Sequence, residues 1–137
     1  MDDCFGSGET FNIVAGIEIV AHAMKAFPTR QEVLVGAMYA LRNFFCQTTK
    51  TQRLKKFVND LDGVQLFLDA MKKFPQSLGA QRYGCSSFFY LCYFHEDIKR
   101  LCRASGVRSA VALAMDKFPE DESIQTCGKE CLKAILD

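Results

Sequence analysis

The chain has 137 residues, of which 49% are hydrophobic and 24% charged, enough apolar material for one globular domain spanning 1–137. Lysine and arginine number 17 against 16 aspartate and glutamate, a formal charge of +1. This balance excludes a global attraction to phosphate backbones or anionic lipid, so any charge-driven partner must be sought in local clusters.

The first residues carry no sign of export or membrane insertion. Met1-Asp2-Asp3-Cys4 lacks the basic start and apolar core of a signal peptide, and Glu18 and His22 interrupt the most apolar early segment. We therefore expect a cytoplasmic protein without a membrane span, with nuclear or cytoskeletal association left open.

One phrase occurs three times and contains all three prolines of the chain. Its copies are AMKAFP at 23–28, AMKKFP at 70–75 and AMDKFP at 114–119. The first two prolines are 47 residues apart and the last two 44, a spacing within the ~40–47 residues of some helical repeat arrays. The chain is therefore expected to be an array of about three units.

In each unit a short amphipathic helix is predicted between a glycine and the proline. Its apolar positions recur at helical spacing, and in the second unit they are Val64, Phe67, Leu68, Met71 and Phe74. Proline restricts the residue before it and cannot donate a backbone hydrogen bond, so the helix should end there.

A second helix should follow each proline, passing through Val33, Leu41 and Phe44, then Ala80, Phe88 and Leu91, then Ile124, Leu132 and Ile135. Glycine inside a helix costs about 1 kcal/mol relative to alanine, so Gly84 and Gly128 predict a closely crossing helix. A further, shorter helix is expected before each unit's glycine, near 50–61 and 96–104, with an abbreviated version near 9–15. The predicted units are 9–46, 48–94 and 95–137.

Three of these segments resemble the armadillo repeat family. GAMYALRNFF at 36–45 is similar to the last helix of an armadillo repeat, and AQRYGC at 80–85 and IQTCGK at 124–129 are similar to that family's Val-Gln-x-x-Gly-Cys. The resemblance implies an all-α fold: a right-handed α-solenoid of about three three-helix repeats, with the first helix of repeat 1 abbreviated. It also implies a concave groove, lined by the last helix of each repeat, that binds a protein or peptide segment.

The resemblance places an aromatic and an asparagine of the groove at Tyr39 and Asn43. The full set expected in the groove is Tyr39, Arg42, Asn43, Arg82, Ser86, Phe89, Tyr90, Tyr93 and Glu130. The expected function is a non-catalytic interaction module, an adaptor or scaffold without a cofactor. Since SSFFYLCYF at 86–94 is apolar on every side, it is either the buried centre of the stack or an aromatic binding patch.

Local charge suggests an alternative function. Basic residues cluster on the first helices of repeats 2 and 3, at Lys50, Arg53, Lys55, Lys56, Lys99, Arg100 and Arg103. Stacked side by side, they would form a basic ridge for nucleic acid or an acidic ligand. Asp60, Asp62, Glu96 and Asp97 lie close enough to neutralise much of it, so nucleic acid is the less favoured partner.

The seven cysteines offer a third interpretation, a thiol or metal protein. Cys92 and His95, and Cys127 and Cys131, have spacings at which zinc binding is sterically conceivable. There is no second ligand pair with finger-like spacing, and most cysteines lie in apolar periodic segments. We therefore expect reduced, packed thiols and no metal.

The two ends of the array differ in polarity. The third unit carries charged residues around its turn, as a terminal cap requires, whereas the segment 13–24 of the first unit is nearly uncharged. An uncovered apolar end favours association. We expect this end to be covered by the Cys4-Phe5 segment, by a second copy in a two-fold homodimer, or by a partner; Val20→Glu should disrupt a dimer.

Overall fold

In the computed structural model, residues 15–47 and 51–136 are described, apart from the side chains of Thr51 and Phe94. This part of the chain is all helical. Its helices are α1 (15–26), α2 (Gln31–Gln47), α3 (Thr51–Lys55), α4 (Gly63–Lys73), α5 (Leu78–Phe94), α6 (Glu96–Ser105), α7 (Val107–Lys117) and α8 (Glu122–Leu136). A π-helical turn, Lys56–Asp60, continues α3. The short helices predicted near 50–61 and 96–104 are confirmed, whereas most of the one near 9–15 lies outside the described residues.

The turn at each proline has the same hydrogen bonds in all three copies of the phrase. The amides of Phe27, Phe74 and Phe118 donate to the carbonyl four residues earlier, each at 3.0 Å. The backbone angles of Phe74 (φ −122°, ψ 64°) and Phe118 (φ −123°, ψ 64°) are nearly identical. The predicted helix end before each proline is therefore confirmed.

Two of the helices that follow a proline begin at a capping side chain. The Ser77 hydroxyl accepts a hydrogen bond from the amide of Ala80 at 3.1 Å, and the Asp121 carboxylate accepts one from the amide of Ile124 at 2.9 Å. Such caps satisfy amides that have no partner within the helix. They fix where α5 and α8 begin.

Helix α5 lies at the centre of the packing, with α2 and α8 along its sides and α4, α6 and α7 in contact with it. A row of buried phenylalanines joins α2, the π-helical turn, α4 and α5. The ring centroids are 4.9 Å apart for Phe45 and Phe57, 5.8 Å for Phe57 and Phe67, and 6.0 Å for Phe67 and Phe88. The predicted core position of Phe88 is confirmed.

Two of the predicted α2 positions differ from the structure by one residue. Leu34 and Phe45 are buried there, while their neighbours Val33 and Phe44 are only half-buried. Both members of each pair are apolar, so composition alone does not select between them, and the rotation of α2 against α5 does.

The close approach predicted at the helical glycines is confirmed. A Cβ on Gly84 would lie 2.4 Å from the sulfur of Met71 in α4, and one on Gly128 would lie 2.6 Å from the sulfur of Met115 in α7. Both distances are below van der Waals contact, so α4 crosses α5, and α7 crosses α8, with no room for a side chain.

Candidate partner-binding face

Aromatic side chains of α2 and α5 form one surface, here called the aromatic face: Tyr39, Tyr83, Phe89, Tyr90 and Tyr93. Tyr39 and Tyr83 join the two helices through rings whose centroids are 5.1 Å apart. On α5, Phe89 contacts Tyr90 at 5.2 Å and Tyr93 at 5.4 Å between centroids. Tyr39 remains 49% exposed and Tyr93 60% exposed. The face therefore combines open aromatic surface with rings held by their neighbours.

Two arginines lie beside these rings. Arg42 donates from Nη1 to the side-chain oxygen of Asn43 at 2.9 Å, and Arg82 donates from Nη2 to Asp121 at 2.5 Å. The bond to Asp121 raises the pKa of Arg82, and in return the bond from Arg82 lowers the pKa of Asp121. The pair ties α5 to the start of α8.

Arg42 also acts across α5 toward α8. Burial raises the pKa of the Cys127 thiol, but the Arg42 guanidinium opposes that rise by favouring the thiolate. Its Nε is buried and has no hydrogen-bond partner among the described residues. The charge of Arg42 on α2 is therefore felt by Cys127 on α8.

Most of the predicted groove residues lie at least partly at the surface, and Ser86 does not. Tyr39, Tyr93 and Glu130 are exposed, and Arg42, Asn43, Arg82, Phe89 and Tyr90 are half-buried. Ser86 is only 2% exposed and donates to the carbonyl of Tyr83, so its predicted place in an open groove is wrong.

Sequence analysis missed Tyr83. It lies three residues before Ser86 and seven before Tyr90, spacings that put side chains on one side of a helix. Two helical turns, or seven residues, before Tyr90 the sequence has Tyr83, so helical spacing alone could have located it. Of the segment 86–94, Ser86, Ser87, Phe88, Leu91 and Cys92 are buried while Tyr93 is exposed, so most of this segment is buried and the aromatic binding patch stays a prediction.

Most of the predicted basic ridge is engaged in ion pairs. Lys55 lies 3.2 Å from Asp97, Lys56 3.6 Å from Glu18, Lys99 2.9 Å from Glu96, and Arg100 3.9 Å from Asp97. Arg103 donates to the carbonyl of Ile135 at 2.8 Å. Arg53 is half-buried, and Lys50 lies outside the described residues. The nearby carboxylates thus compensate four of the seven predicted cations.

Buried thiols gather where α5, α6 and α8 meet. Hydrogen bonds toward Cys92, together with burial, raise the pKa of Cys102 and of Cys131, and the same bonds lower the pKa of Cys92. Burial raises the pKa of Cys85 to about 12. All four are free thiols that pack in the core.

In residues 15–47 and 51–136 no group of three or more histidine, cysteine or acidic side chains is placed to hold a metal ion.

The two residues of the conceivable Cys-His pair have different surroundings. Cys92 is hydrogen-bonded to Cys102 and Cys131, while His95 directly precedes α6 and lies near Lys55. Burial, with the charge of Lys55, lowers the pKa of His95.

In α1, Ile19 is 68% exposed and Val20 is half-buried against the core. The Cys4-Phe5 segment proposed to cover the N-terminal end lies outside the described residues. The more sensitive probe of an interface here is therefore Ile19, not Val20.

Comparison with models of protein families, with curated proteins and with solved structures finds no match. No helix in the described ranges is long and apolar enough to cross a membrane.

Proposed function

We propose that this chain is a non-catalytic interaction module, an adaptor or scaffold built as a right-handed α-solenoid of three armadillo-type repeats. The proposed repeats are 9–46, 48–94 and 95–137. Support comes from the proline turn, whose hydrogen bonds recur at Phe27, Phe74 and Phe118. Further support comes from the close packing of a methionine on a helical glycine, which recurs 44 residues apart as Met71 on Gly84 and Met115 on Gly128.

The aromatic face is the proposed site for a partner segment. The observation that carries the proposal is the exposure of Tyr39 and Tyr93 on rings already in contact with Tyr83 and Phe89. Tyrosine supplies a large contact area with few rotatable bonds, so a partner that binds it loses little side-chain entropy. Interface cores are enriched in such residues and in arginine.

The polar groups around the face define the kind of segment that fits. Arg42 has a half-buried guanidinium whose Nη1 donates to the side-chain oxygen of Asn43, and Asn43 has an amide nitrogen beside it. Both groups hydrogen-bond to carbonyl oxygens of an extended chain. We therefore propose a partner segment that places apolar side chains on the tyrosines and main-chain oxygens near Arg42.

Affinity capture with the wild-type chain, followed by quantitative mass spectrometry, tests the proposal. The comparison variant is Tyr39→Ala combined with Tyr93→Ala, and the control is Lys129→Ala on the exposed side of α8. Each tyrosine truncation should weaken partner binding by about 1–3 kcal/mol and leave the melting temperature nearly unchanged. Equal recovery by the wild type and the double variant contradicts the proposal.

A further inference from the structure

Two grooves with equivalent lining residues lie between the helices that end at the three prolines, α1, α4 and α7. The first, of about 390 Å³, lies between α1 and α4, and the second, of about 500 Å³, between α4 and α7. One wall of each is formed by the repeated phrase, through Met24, Lys25 and Pro28 in the first groove and Met71, Lys72 and Pro75 in the second. The facing wall also repeats, with Leu66, Asp69, Ala70 and Lys73 in the first and Ala110, Leu113, Ala114 and Lys117 in the second.

The second groove exposes apolar surface that the core does not use. Leu113 is 69% exposed on its wall, and the buried core residues Met71 and Ala114 also line it. The carbonyls of Met71 and Phe74, at the end of α4, already accept hydrogen bonds from Gln81. An apolar side chain that binds here therefore covers Leu113, while both carbonyls keep their hydrogen bonds to Gln81.

The rims of both grooves carry an excess of positive charge. Lys25, Lys72 and Lys117 are exposed and have no carboxylate partner among the described residues, unlike Lys55, Lys56 and Lys99 of the basic ridge. Asp69 is the one carboxylate that lines either groove in the described part of the chain, and it accepts a hydrogen bond from Gln65 at 2.7 Å. Lys72 and Asp69 line both grooves, which therefore lie next to each other on either side of α4.

We propose that these grooves bind an acidic segment of a partner protein. A side chain the size of leucine or phenylalanine packs against Leu113, while flanking aspartate or glutamate residues pair with Lys72 and Lys117. The same segment extends toward Lys25 at the first groove. An apolar wall combined with unpaired cations is complementary to a chain that alternates apolar and acidic residues. This surface is separate from the aromatic face, and the proposal does not depend on the function proposed for that face.

The test is selection of a phage-displayed random peptide library on the full chain. Enriched peptides should combine a large apolar residue with aspartate or glutamate, and their binding should weaken as salt is raised. A synthetic peptide with an enriched sequence should lose at least about tenfold in affinity for Lys72→Glu and for Leu113→Asp. Both side chains are exposed, so circular dichroism melts should match those of the wild type.

Lys129→Glu, an equal change of charge on α8, is the matched control and should leave affinity unchanged. The proposal is wrong if no peptide is enriched, if the enriched peptides are neutral or basic, or if the groove variants bind them normally. It is also wrong if a labelled oligonucleotide displaces the peptide as readily as unlabelled peptide does. Loss of binding in the Tyr39→Ala, Tyr93→Ala variant alone would assign the peptide to the aromatic face.

Discussion

Gln81 and Gln125, 44 residues apart, make the same pair of hydrogen bonds. The side-chain nitrogen of Gln81 donates to the carbonyls of Met71 at 3.0 Å and Phe74 at 3.1 Å. That of Gln125 donates to the carbonyls of Met115 at 2.9 Å and Phe118 at 3.1 Å. Each glutamine thus satisfies carbonyls at the end of the preceding helix, which have no acceptor role inside that helix.

We expect Gln81→Leu to lower the free energy of unfolding by about 1–3 kcal/mol, because the Met71 carbonyl loses its donor in a buried place, while the Phe74 carbonyl keeps the amide of Ser77. Gln125→Leu should have a smaller effect in the same direction, since Gln125 is less buried than Gln81. Urea unfolding measures both. Gln65→Leu is the control, because the exposed Gln65 bonds only to Asp69 and its loss should change stability by less than about 0.5 kcal/mol. No loss of stability in Gln81→Leu contradicts the prediction.

Two glycine-to-alanine changes should have opposite effects. Gly36 lies inside α2 with nothing within 4 Å of an added Cβ, so Gly36→Ala should stabilise the fold by about 0.5–1 kcal/mol. Gly84→Ala should destabilise it by about 1–3 kcal/mol, because the new methyl overlaps the sulfur of Met71. Thermal unfolding of the two variants checks the difference in sign. Equal shifts in melting temperature would show that α4 does not press on α5 at Gly84.

Phe88 and Tyr93, five residues apart on α5, should respond differently to truncation. Phe88 is fully buried against Phe67, so Phe88→Ala should cost about 3–5 kcal/mol of unfolding free energy. Tyr93 is 60% exposed, and Tyr93→Ala should cost less than about 0.5 kcal/mol. Denaturant titration separates the two. A large cost at Tyr93 would mean that it is a structural residue and not an open part of the aromatic face.

The contact between Arg82 and Asp121 should make stability depend on pH in the acid range. The hydrogen bond from Arg82, with that from the amide of Ile124, lowers the pKa of Asp121 below its ordinary 3.8. A carboxyl whose pKa is lower in the folded state stabilises the fold above its unfolded pKa and loses that contribution as the pH falls through the folded pKa.

Wild type should therefore exceed Asp121→Asn in stability by about 0.5–1 kcal/mol near neutral pH. This difference should shrink as the pH falls below about 3.8. Asparagine keeps the capping oxygen, so the comparison isolates the charge. Unfolding titrations of both proteins at about pH 6 and about pH 3 give the two differences. A difference that is the same at both pH values would show that the charge of Asp121 contributes nothing.

Several features of the fold could be predicted from the sequence because they depend on the backbone chemistry of a few residues. A proline ends a helix wherever it stands, so the three phrases located the turns that end α1, α4 and α7. Apolar residues at helical spacing located Phe67 and Phe88 in the core. Gly84 and Gly128 indicated close crossings, since a glycine inside a helix has a cost that only packing offsets.

The candidate sites were predicted less completely, because exposure depends on what neighbouring helices cover. The sequence placed Ser86 and Tyr93 on the same side of α5, but Ser86 is buried while Tyr93 is exposed. The choice between Phe44 and Phe45 required the rotation of α2 against its neighbours. The pairing of Lys55 with Asp97 required α3 and α6 to lie side by side.

The three phrases by themselves determined a repeated helical chain with a turn at every proline, since these properties are local to a few residues. Only the tertiary structure decided that a lysine from each phrase lines one of two neighbouring grooves, since Lys25, Lys72 and Lys117 reach these grooves through the packing of α1, α4 and α7. It likewise decided which cations keep an exposed charge and which are compensated by carboxylates. A sequence specifies the residues available for such contacts, but the distances between them are set by how the helices pack.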